Sequence, residues 1–435
     1  MSKTNLQRAK GVRDFGPAEK IERDRIIGIM KQVFESFGFS PIETPIIERY
    51  DTFASKYAQG QESDAMKESF KFTDQGKRDL VLRNDFTVPL SRFVAMNSDL
   101  PMPFKRYQMG QIFRDGPIKL GRYREFWQCD VDIVGRTNIA DDAEVIQVIL
   151  SLFDQLELDV EVVVNNRKII NAVLSQNNIP EKIREDFIIS LDKIEKIGID
   201  AVKEELEKKG ITEKATTQIL SDLGWQAKDN QARIKKLNEL IEDKSGLEEM
   251  SNLLYLLNDP REVRFLPSLA RGLAYYTGTV FEVVLKDQSK LSSSLAGGGR
   301  YDKMMAEFTG NKDLGGVGVG FGLETIFDAI SLMSKGEEKQ TMTQVYIVPL
   351  GADELKASMK VANRLREQGL NVDVDKLERK PQKKMKYANE LKIPYVAVIG
   401  GDELNADSVM LKNMESGEQE LVKVDEVKLK IQKYS

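Results

Sequence analysis

Arginine, carboxylate and amide side chains share one face of a segment that also contains large aromatic residues. Over residues 121–132, GRYREFWQCDVD, the two-residue period of a strand separates a polar face from a largely apolar one. The polar set is Arg122, Arg124, Gln128, Asp130 and Asp132. A solvent-facing antiparallel strand would alternate in a similar way. Such strands favour threonine, lysine and serine, whereas this face is better suited to hold a charged polar ligand.

Two arginines near this face could bind an anion together. Arg114 closes the first strand of a predicted hairpin, and Arg122 opens the second, so the two could meet at its mouth. Paired guanidinium groups match the geometry of phosphate and carboxylate oxygens. The alternative is a pair of exposed salt bridges with Asp115 and Glu125, which is the commoner fate of arbitrary arginines.

Two further segments contain residue types that could contact a polar ligand. In LRNDFTVPL, Asp85 and Thr87 lie on one side of a predicted strand end, although Asn-Asp also commonly marks a turn. In ARGLAYYTGTVFE, Arg271 lies between apolar residues and is followed by Tyr275 and Tyr276. A buried arginine without a partner is costly, so Arg271 is expected to meet an anion.

Glycine-rich segments lie near the end of the same region. LAGGGRYD and GVGVGFG could each allow a ligand or a second strand to approach the main chain closely. The second segment superficially resembles a dinucleotide-binding loop. No strand–loop–helix unit with a downstream acidic residue accompanies it, which argues against that function.

Composition excludes several classes of function. The 435-residue chain is 41% hydrophobic and 31% charged, contains no histidine, and has one cysteine, Cys129. A Ser-His-Asp or Cys-His catalytic pair, a disulfide framework and a Cys/His metal site are therefore excluded. The net charge of −5 does not indicate general nucleic-acid binding. Without a secretory signal or an apolar run of membrane-spanning length, a cytoplasmic protein is expected.

Periodicity divides the chain into regions that must position these groups. An amphipathic helix is predicted over 16–38, followed by a proline-containing strand FSPIETPIIE. Residues 178–258 are dense in Lys, Glu, Leu and Ile at helical spacing, which predicts an inserted helical module. Residues 331–342 resemble a linker. Beyond it, strand and helix patterns alternate, which predicts a small α/β domain.

Taken together, these motifs resemble those of the histidyl-tRNA synthetase family, within the class II aminoacyl-tRNA synthetases. The resemblance extends over nearly the whole chain, and RGLxYYTG and GRYREFxQ are characteristic of this family rather than of class II enzymes generally. The segments that match are KGVRDFGP, FSPIETP, LRNDFTVPL, FRDGPIKLGRYREFWQCDVDIVG, RGLAYYTG, AGGGRYD and YANELKIPYVAVIGGDE.

The resemblance implies an α+β fold in which helices flank a class II antiparallel sheet. Residues 1–177 and 259–330 would form the catalytic domain, and 178–258 a helical insertion. The linker over 331–342 would lead to a C-terminal α/β anticodon-binding domain over 343–435. The resemblance also implies a homodimer formed through the first helix and the FSPIETP strand.

The implied reaction is activation of L-histidine by ATP to the adenylate, then transfer to the 3′ end of tRNA(His). ATP would be the substrate, with Mg²⁺ bound through its phosphates, and the protein itself would supply no metal site. By position, Arg114 and Arg271 would be catalytic and would grip the α-phosphate and carboxylate, and Arg122 would hold the distal phosphates. The residues implied to bind histidine are Asp85, Phe86, Thr87, Gln128, Asp132, Tyr275 and Tyr276.

The implied chemistry agrees with the composition. Adenylation needs fixed cations around a phosphorus that gains negative charge. The nucleophile is the carboxylate of the substrate, so no enzyme base is required. A neutral imidazole has one donor and one acceptor, which a carboxylate and a phenol can both satisfy.

Two positions and one loop depart from the family pattern. Thr325 occupies the place of an arginine that usually contacts the nucleotide, and Ala274 replaces a common aspartate. The loop 115–121, DGPIKLG, differs from the bacterial form that contacts the tRNA acceptor end. We interpret the differences at Thr325 and Ala274 as variation within a working enzyme.

Two other functions compete with this interpretation. The first is a non-catalytic paralogue that binds histidine and regulates a histidine-biosynthetic enzyme; such proteins typically lack the C-terminal domain. The second is a synthetase-derived ligase that charges a different acceptor. In the C-terminal domain, RKPQKKMK over 379–386 has five basic residues and no acids. It could contact tRNA phosphates, although a solvated helix face is an equally good explanation of such a run alone.

Overall fold

Two units make up the chain in the computed structural model. The first consists of Met1–Arg13 and Ile26–Ser334, and the second of Asp14–Arg25 and Lys335–Ser435. The structure describes residues 6–54, 64–136, 138–224, 229–258, 260–272, 275–333 and 339–434. None of the helices in these ranges is both long and apolar enough to cross a membrane.

The region before the insertion alternates short strands and helices before it forms a long hairpin. Its elements in chain order are α1 (Pro17–Ser36), β1 (Ser40–Pro41), β2 (Ile47–Arg49), α2 (Tyr50–Ala54), α3 (Asp64–Lys67), β3 (Lys71–Thr73), β4 (Asp79–Leu82), α4 (Thr87–Met96), β5 (Phe104–Phe113), β6 (Glu125–Gly135), α5 (Ile139–Gln155) and β7 (Val160–Asn166). The predicted FSPIETPIIE strand forms two separate strands, β1 and β2, which join different sheets. Its prolines cannot donate ladder hydrogen bonds, which favours such a break.

Helices fill the segment between β7 and the next strand of the sheet. They are α6 (Arg167–Gln176), α7 (Glu181–Leu191), α8 (Ile194–Ile197), α9 (Ile199–Lys208), α10 (Glu213–Asp222), α11 (Asn230–Leu240) and α12 (Ser245–Leu256). Their apolar side chains, such as Phe187, Val202 and Leu253, belong to the same hydrophobic cluster as the sheet. The helices therefore pack onto the core of this unit and share its hydrophobic stabilisation.

Glu205 of α9 lies among three donors: one in α7, one just before α8 and one just after α9. Its carboxylate accepts from Lys193 Nζ at 2.9 and 3.1 Å, from Ser190 Oγ at 2.9 Å, and from Lys209 Nζ at 3.3 Å. Burial raises the pKa of Glu205, but these donors lower the pKa to about 2, from an ordinary value of 4.5. The stabilisation is therefore fully present above pH 4.5 and is lost as the pH falls towards 2.

We expect Glu205→Gln to lower the thermal unfolding midpoint at pH 7. The difference in midpoint between this variant and the wild type, here called the gap, should narrow below pH 4.5. Circular dichroism melts between pH 7 and pH 3 measure this gap. Glu204→Gln, at an exposed neighbouring position, is the matched control and should change the midpoint little at any pH. A gap for Glu205→Gln that stays constant across this range would contradict the role of the ionised carboxylate.

The first unit is completed by strands that return to the same sheet. These elements are β8 (Val263–Phe265), β9 (Thr279–Leu285), β10 (Ala296–Arg300), α13 (Asp302–Thr309), β11 (Gly315–Gly322) and α14 (Leu323–Met333). The eight-stranded sheet has the order β1-β5-β6-β11-β10-β9-β7-β8. Its inner pairs are antiparallel, and only the edge strands β1 and β8 pair in parallel with their neighbours. β2, β4 and β3 form a separate three-stranded sheet.

Alternation along the central strands assigns the two faces of the large sheet. On β6, Cys129, Val131 and Ile133 belong to the hydrophobic core, together with Val319 and Phe321 of β11. Successive side chains of a strand point to opposite faces, so Gln128, Asp130 and Asp132 face the other side, as the sequence predicts. This other face is where the polar groups of the chain converge.

The second unit contains a five-stranded sheet with helices. Its elements are β12 (Val345–Pro349), α15 (Ala352–Glu367), β13 (Val372–Val374), α16 (Pro381–Glu390), β14 (Tyr395–Ile399), α17 (Gly401–Asn405), β15 (Ser408–Asn413), β16 (Gln419–Lys423), a 3₁₀ turn at Val424–Glu426, and α18 (Val427–Tyr434). The strand order is β13-β12-β14-β15-β16, in which the first three are parallel. This unit is a small α/β domain with its own apolar core.

Candidate active site

Glycines form the centre of the polar face of the large sheet. We call Gly297, Gly299, Gly318, Gly320 and Gly322 the glycine floor. They lie on β10 and β11, and Gly318, Gly320 and Gly322 stand directly opposite Asp132, Asp130 and Gln128 of β6. A Cβ atom on Gly318 would overlap with the Asp132 carboxylate, and one on Gly297 with the Arg271 guanidinium. The floor therefore has room for the neighbouring charged groups only because it lacks side chains.

Asp132 is held by two partners that sequence reasoning did not identify. Tyr301 Oη donates to Asp132 Oδ1 at 2.5 Å, and Arg106 Nη2 lies 2.5 Å from Oδ2. Arg106 is fully buried and stands opposite Asp132 in the β5–β6 ladder. Burial raises the pKa of Asp132, and the charge of Arg106 opposes this rise. The FKRYQM and AGGGRYD segments contain this arginine and this tyrosine, so both residue types were visible in the sequence. Their shared contact with the Asp132 carboxylate becomes evident only from the strand pairing and the folded structure.

Gln128 connects Arg114 to a second buried carboxylate. Arg114 Nη2 donates to Gln128 Oε1 at 3.3 Å, and Arg114 Nε donates to the Asn84 carbonyl at 2.9 Å. Gln128 Nε2 donates to both oxygens of Asp130, at 2.8 and 3.0 Å. The Arg114 guanidinium also lies over Phe126, 5.2 Å from the ring centroid. Arg114 is thereby fixed beside the polar face.

Asp85, Phe86 and Thr87 form the start of α4 rather than the end of a strand, since β4 ends at Leu82. Asp85 Oδ1 accepts from the Val88 amide at 3.1 Å, a short-range hydrogen bond typical of helix starts. Phe86 is fully buried, while Thr87 is partly exposed at the first position of the helix. The charge of Asp85 also contributes to raising the pKa of Asp132 and of Tyr275, so these groups share one electrostatic environment.

Arg271 lies against the floor beside two tyrosines. Its Nη1 donates to the Phe281 carbonyl at 3.4 Å, and its guanidinium is 6.0 Å from the Tyr276 ring centroid. The Tyr275 and Tyr276 rings are 4.6 Å apart. Burial lowers the pKa of Arg271, but the neighbouring Tyr276 and Glu282 outweigh it and raise the pKa. The adjoining position Ala274, one of the departures from the family pattern, lies outside the described residues.

Arg122 has a different partner from those expected. Its Nη2 donates to Glu68 at 2.9 and 3.1 Å, whereas Asp115 pairs with Arg124 at 3.0 Å. The expected alternative pairing with Asp115 and Glu125 is therefore wrong for this arginine. Arg114 and Arg122 also take separate partners instead of meeting at one anion. The Arg122 side chain remains 42% exposed, so it is open to a phosphate from solvent.

Thr325 contacts the loop that joins the hairpin strands. Its Oγ1 donates to the Gly121 carbonyl at 3.1 Å, and its side chain is buried. The adjacent Glu324 accepts from the Trp127 amide at 2.8 Å. Thr325 therefore secures the loop 115–121 against α14. Within the described ranges, no cluster of three or more acidic or cysteine side chains could hold a metal ion.

Gly297→Ala is expected to displace the Arg271 guanidinium, because the three atoms nearest to the added methyl group all belong to Arg271. We expect the adenylation implied by the sequence, in which Arg271 would be catalytic, to slow at least tenfold. The net charge of the site stays unchanged. Gly401→Ala is the matched control, since a Cβ at Gly401 meets open space. Steady-state kinetics of both variants measure the effect, and equal rates would show that Arg271 need not occupy this position.

Comparison with known proteins shows similarity over most of the chain. A model of the family described as histidyl-tRNA synthetase matches residues 11–326, and one described as anticodon binding domain matches residues 344–434. The chain is 41% identical to histidine–tRNA ligase 1 of Bacillus cereus over 419 residues, which cover 95% of this chain and 96% of that protein. It is 35% identical to histidine–tRNA ligase of Porphyromonas gingivalis, over 96% of each chain.

Solved structures also share this fold. The crystal structure of histidyl-tRNA synthetase from Nostoc sp. PCC 7120 matches with a TM-score of 0.85 at 30% identity, over the full length of both chains. A Bacillus halodurans structure, described as an ATP phosphoribosyltransferase regulatory subunit/histidyl-tRNA synthetase, matches with a TM-score of 0.73 at 23% identity, over 88% of this chain and 96% of that one. The second likeness concerns the fold alone. The extent of these matches shows that the chain belongs to the histidyl-tRNA synthetase family.

Proposed function

We propose that this protein activates L-histidine with ATP and transfers the histidyl group to the 3′ end of tRNA(His). The observation that supports this most strongly is the convergence of arginines, carboxylates and phenols on the glycine floor. Cations and hydrogen-bonding groups thus border one surface that has no side chains of its own. A small amino acid and a nucleotide can lie against such a surface with their charges paired.

Histidine would bind between α4, β6 and the tyrosine pair. Asp85, Thr87 and Gln128 would accept hydrogen bonds from the α-ammonium group. Asp132, Tyr275 and Tyr276 would line the imidazole pocket. Asp132 already accepts from Tyr301 and forms an ion pair with Arg106, so its remaining lone pairs would be acceptors for an imidazole N–H. A side chain without a matching donor would leave these buried groups unpaired, which disfavours other amino acids.

Arg114 and Arg271 would stabilise the charge that develops when the histidine carboxylate attacks the α-phosphate. Guanidinium groups fixed in place before the reaction lower its barrier, because little reorganisation is then needed. Arg114 is fixed by Asn84 and Gln128, and Arg271 by the Phe281 carbonyl. Arg122 would exchange Glu68 for the distal phosphates. Mg²⁺ bound through the phosphates would neutralise part of their charge.

The C-terminal domain would bind the anticodon. In its basic segment over 379–386, some side chains already contact other parts of the domain. Lys384 is buried and donates to the Pro349 carbonyl at 3.0 Å, and Arg379 pairs with Asp375 at 2.8 Å. Lys380, Lys383 and Lys386 are exposed and could contact tRNA phosphates.

We further propose a cytoplasmic homodimer that pairs through α1 and the β1–β2 segment.

The regulatory paralogue is the second candidate, and histidine binding alone would suit it equally well. The residues past 343 form an α/β domain, matched by the anticodon-binding model, which favours the synthetase. Histidine-dependent exchange of labelled pyrophosphate into ATP, without tRNA, separates the two. Exchange with histidine and no other amino acid would support activation and show that Thr325 is tolerated. Tight histidine binding without exchange would overturn the proposal.

A further inference from the structure

Asp130 has no part in the binding roles proposed above, yet it is among the most buried carboxylates of the polar face. Its side chain points to the same side as Gln128 and Asp132, and the residue is 4% exposed. Burial raises the pKa of Asp130, and the charge of Arg106 opposes this rise. Burying a carboxylate is costly unless its hydrogen bonds are well made. Its hydrogen bonds therefore indicate what it does.

Both Asp130 oxygens accept from one nitrogen, Gln128 Nε2, at 2.8 and 3.0 Å. A carboxylate can only accept, so it holds the amide group of Gln128 with its nitrogen towards Asp130. The amide oxygen must then point the other way, where it accepts from Arg114 Nη2 at 3.3 Å. Asp130 thereby determines which atom of Gln128 faces the arginine.

We propose that Asp130 is a positioning residue that acts through Gln128 to orient Arg114 for the adenylation step. This inference rests on the function proposed above. If the amide turned over, Gln128 Nε2 and Arg114 Nη2 would be two donors facing each other, and Arg114 would shift from its position. The chain of hydrogen bonds runs from Asp130 through Gln128 to Arg114, and the Asn84 carbonyl holds the far side of the guanidinium.

Asp130→Asn should break this chain at nearly constant volume. The asparagine has one acceptor where the carboxylate has two, and the positive charge of Arg106, which acts on Asp130, attracts that acceptor. When the asparagine oxygen faces Arg106, its NH₂ group faces Gln128 and turns the amide oxygen away from Arg114. We expect the maximal rate of histidine-dependent pyrophosphate exchange to fall about tenfold to a hundredfold, as for the loss of one buried hydrogen bond. Because the same amide oxygen would also accept from the α-ammonium of histidine, the KM for histidine should rise as well.

The double variant Asp130→Asn, Gln128→Glu should restore the chain with the wild-type net charge. One oxygen of the new glutamate can accept from the asparagine NH₂ group, and the other from Arg114. We expect this variant to recover at least tenfold of the rate that Asp130→Asn loses. In a Gln128→Ala background, Asp130→Asn should lower the exchange rate little further, because the side chain through which Asp130 acts on Arg114 is already absent.

The experiment measures exchange rates and KM values for the wild type, Asp130→Asn, Gln128→Ala and both double variants, alongside their thermal melts. Histidine-dependent exchange by the wild type tests the proposed function separately. Rescue by Gln128→Glu would support the relay, because a merely structural loss would not be recovered by a second change. A wild-type rate for Asp130→Asn, or a folded double variant no faster than Asp130→Asn, would overturn it.

Discussion

Arg271→Ala is expected to slow histidine-dependent pyrophosphate exchange by about a hundredfold to a thousandfold, the range found when a preorganised contact to a developing charge is removed. The guanidinium lies against the glycine floor, where the Phe281 carbonyl holds it beside Tyr276. A truncated side chain leaves the developing charge on the α-phosphate without this cation. The KM for histidine should change by a smaller factor than the maximal rate, since the contact strengthens in the transition state.

Arg264→Ala is the matched control for the loss of one arginine. Arg264 pairs with Glu161 at 2.7 Å on the neighbouring strands β8 and β7, and its side chain is 32% exposed. This partly exposed ion pair involves none of the residues proposed to bind histidine or ATP, so this variant should exchange pyrophosphate at nearly the wild-type rate. Normal exchange by the Arg271 variant would refute the catalytic role assigned to it.

Asp132→Asn should weaken histidine binding and destabilise the fold at the same time. The pocket loses the acceptor that reads an imidazole N–H, and we expect the KM for histidine to rise by about a hundredfold. Arg106 loses its counter-ion while remaining buried, which costs roughly 3–5 kcal/mol of unfolding free energy. Exchange kinetics with histidine and competing amino acids, well below the unfolding midpoint, measure the first effect, and chemical denaturation measures the second.

A second buried ion pair separates these two effects. Asp142 is fully buried and pairs with Arg300, and neither residue is among those proposed to bind histidine. Asp142→Asn should therefore destabilise the protein by a comparable amount but leave the KM for histidine near the wild-type value. An equal rise in KM for both variants would mean that Asp132 affects histidine only through the stability of the fold.

Local patterns predicted most of the fold, because each strong pattern has one structural solution. The period of α1 predicts its helix to within two residues at either end, and the alternation over residues 125–135 assigns the faces of β6. The FSPIETPIIE segment shows where pattern alone was insufficient. Its apolar residues fit a strand, but the prolines interrupt the ladder, and the two halves pair with different sheets.

The polar groups of the site were predictable by type, and their pairings were not. Gln128, Asp132 and Arg271 stand out from the sequence as charged or amide groups among apolar neighbours. Arg106 and Tyr301 do not, since an arginine at a strand start and a tyrosine after glycines have many ordinary explanations. Arg106 meets Asp132 through the register of two strands. Tyr301 meets Asp132 from 169 positions away in the chain. A local sequence pattern contains neither relation.

The glycine floor also limits how the substrate range of this protein could be changed by engineering. A pocket is usually enlarged by shortening the side chains beneath the ligand, but five residues of this surface have nothing left to remove. Any substitution there can only make the pocket shallower. Libraries for bulkier amino-acid analogues should therefore vary the walls at Tyr275 and Tyr276, while variation of the floor would select for smaller substrates or for none.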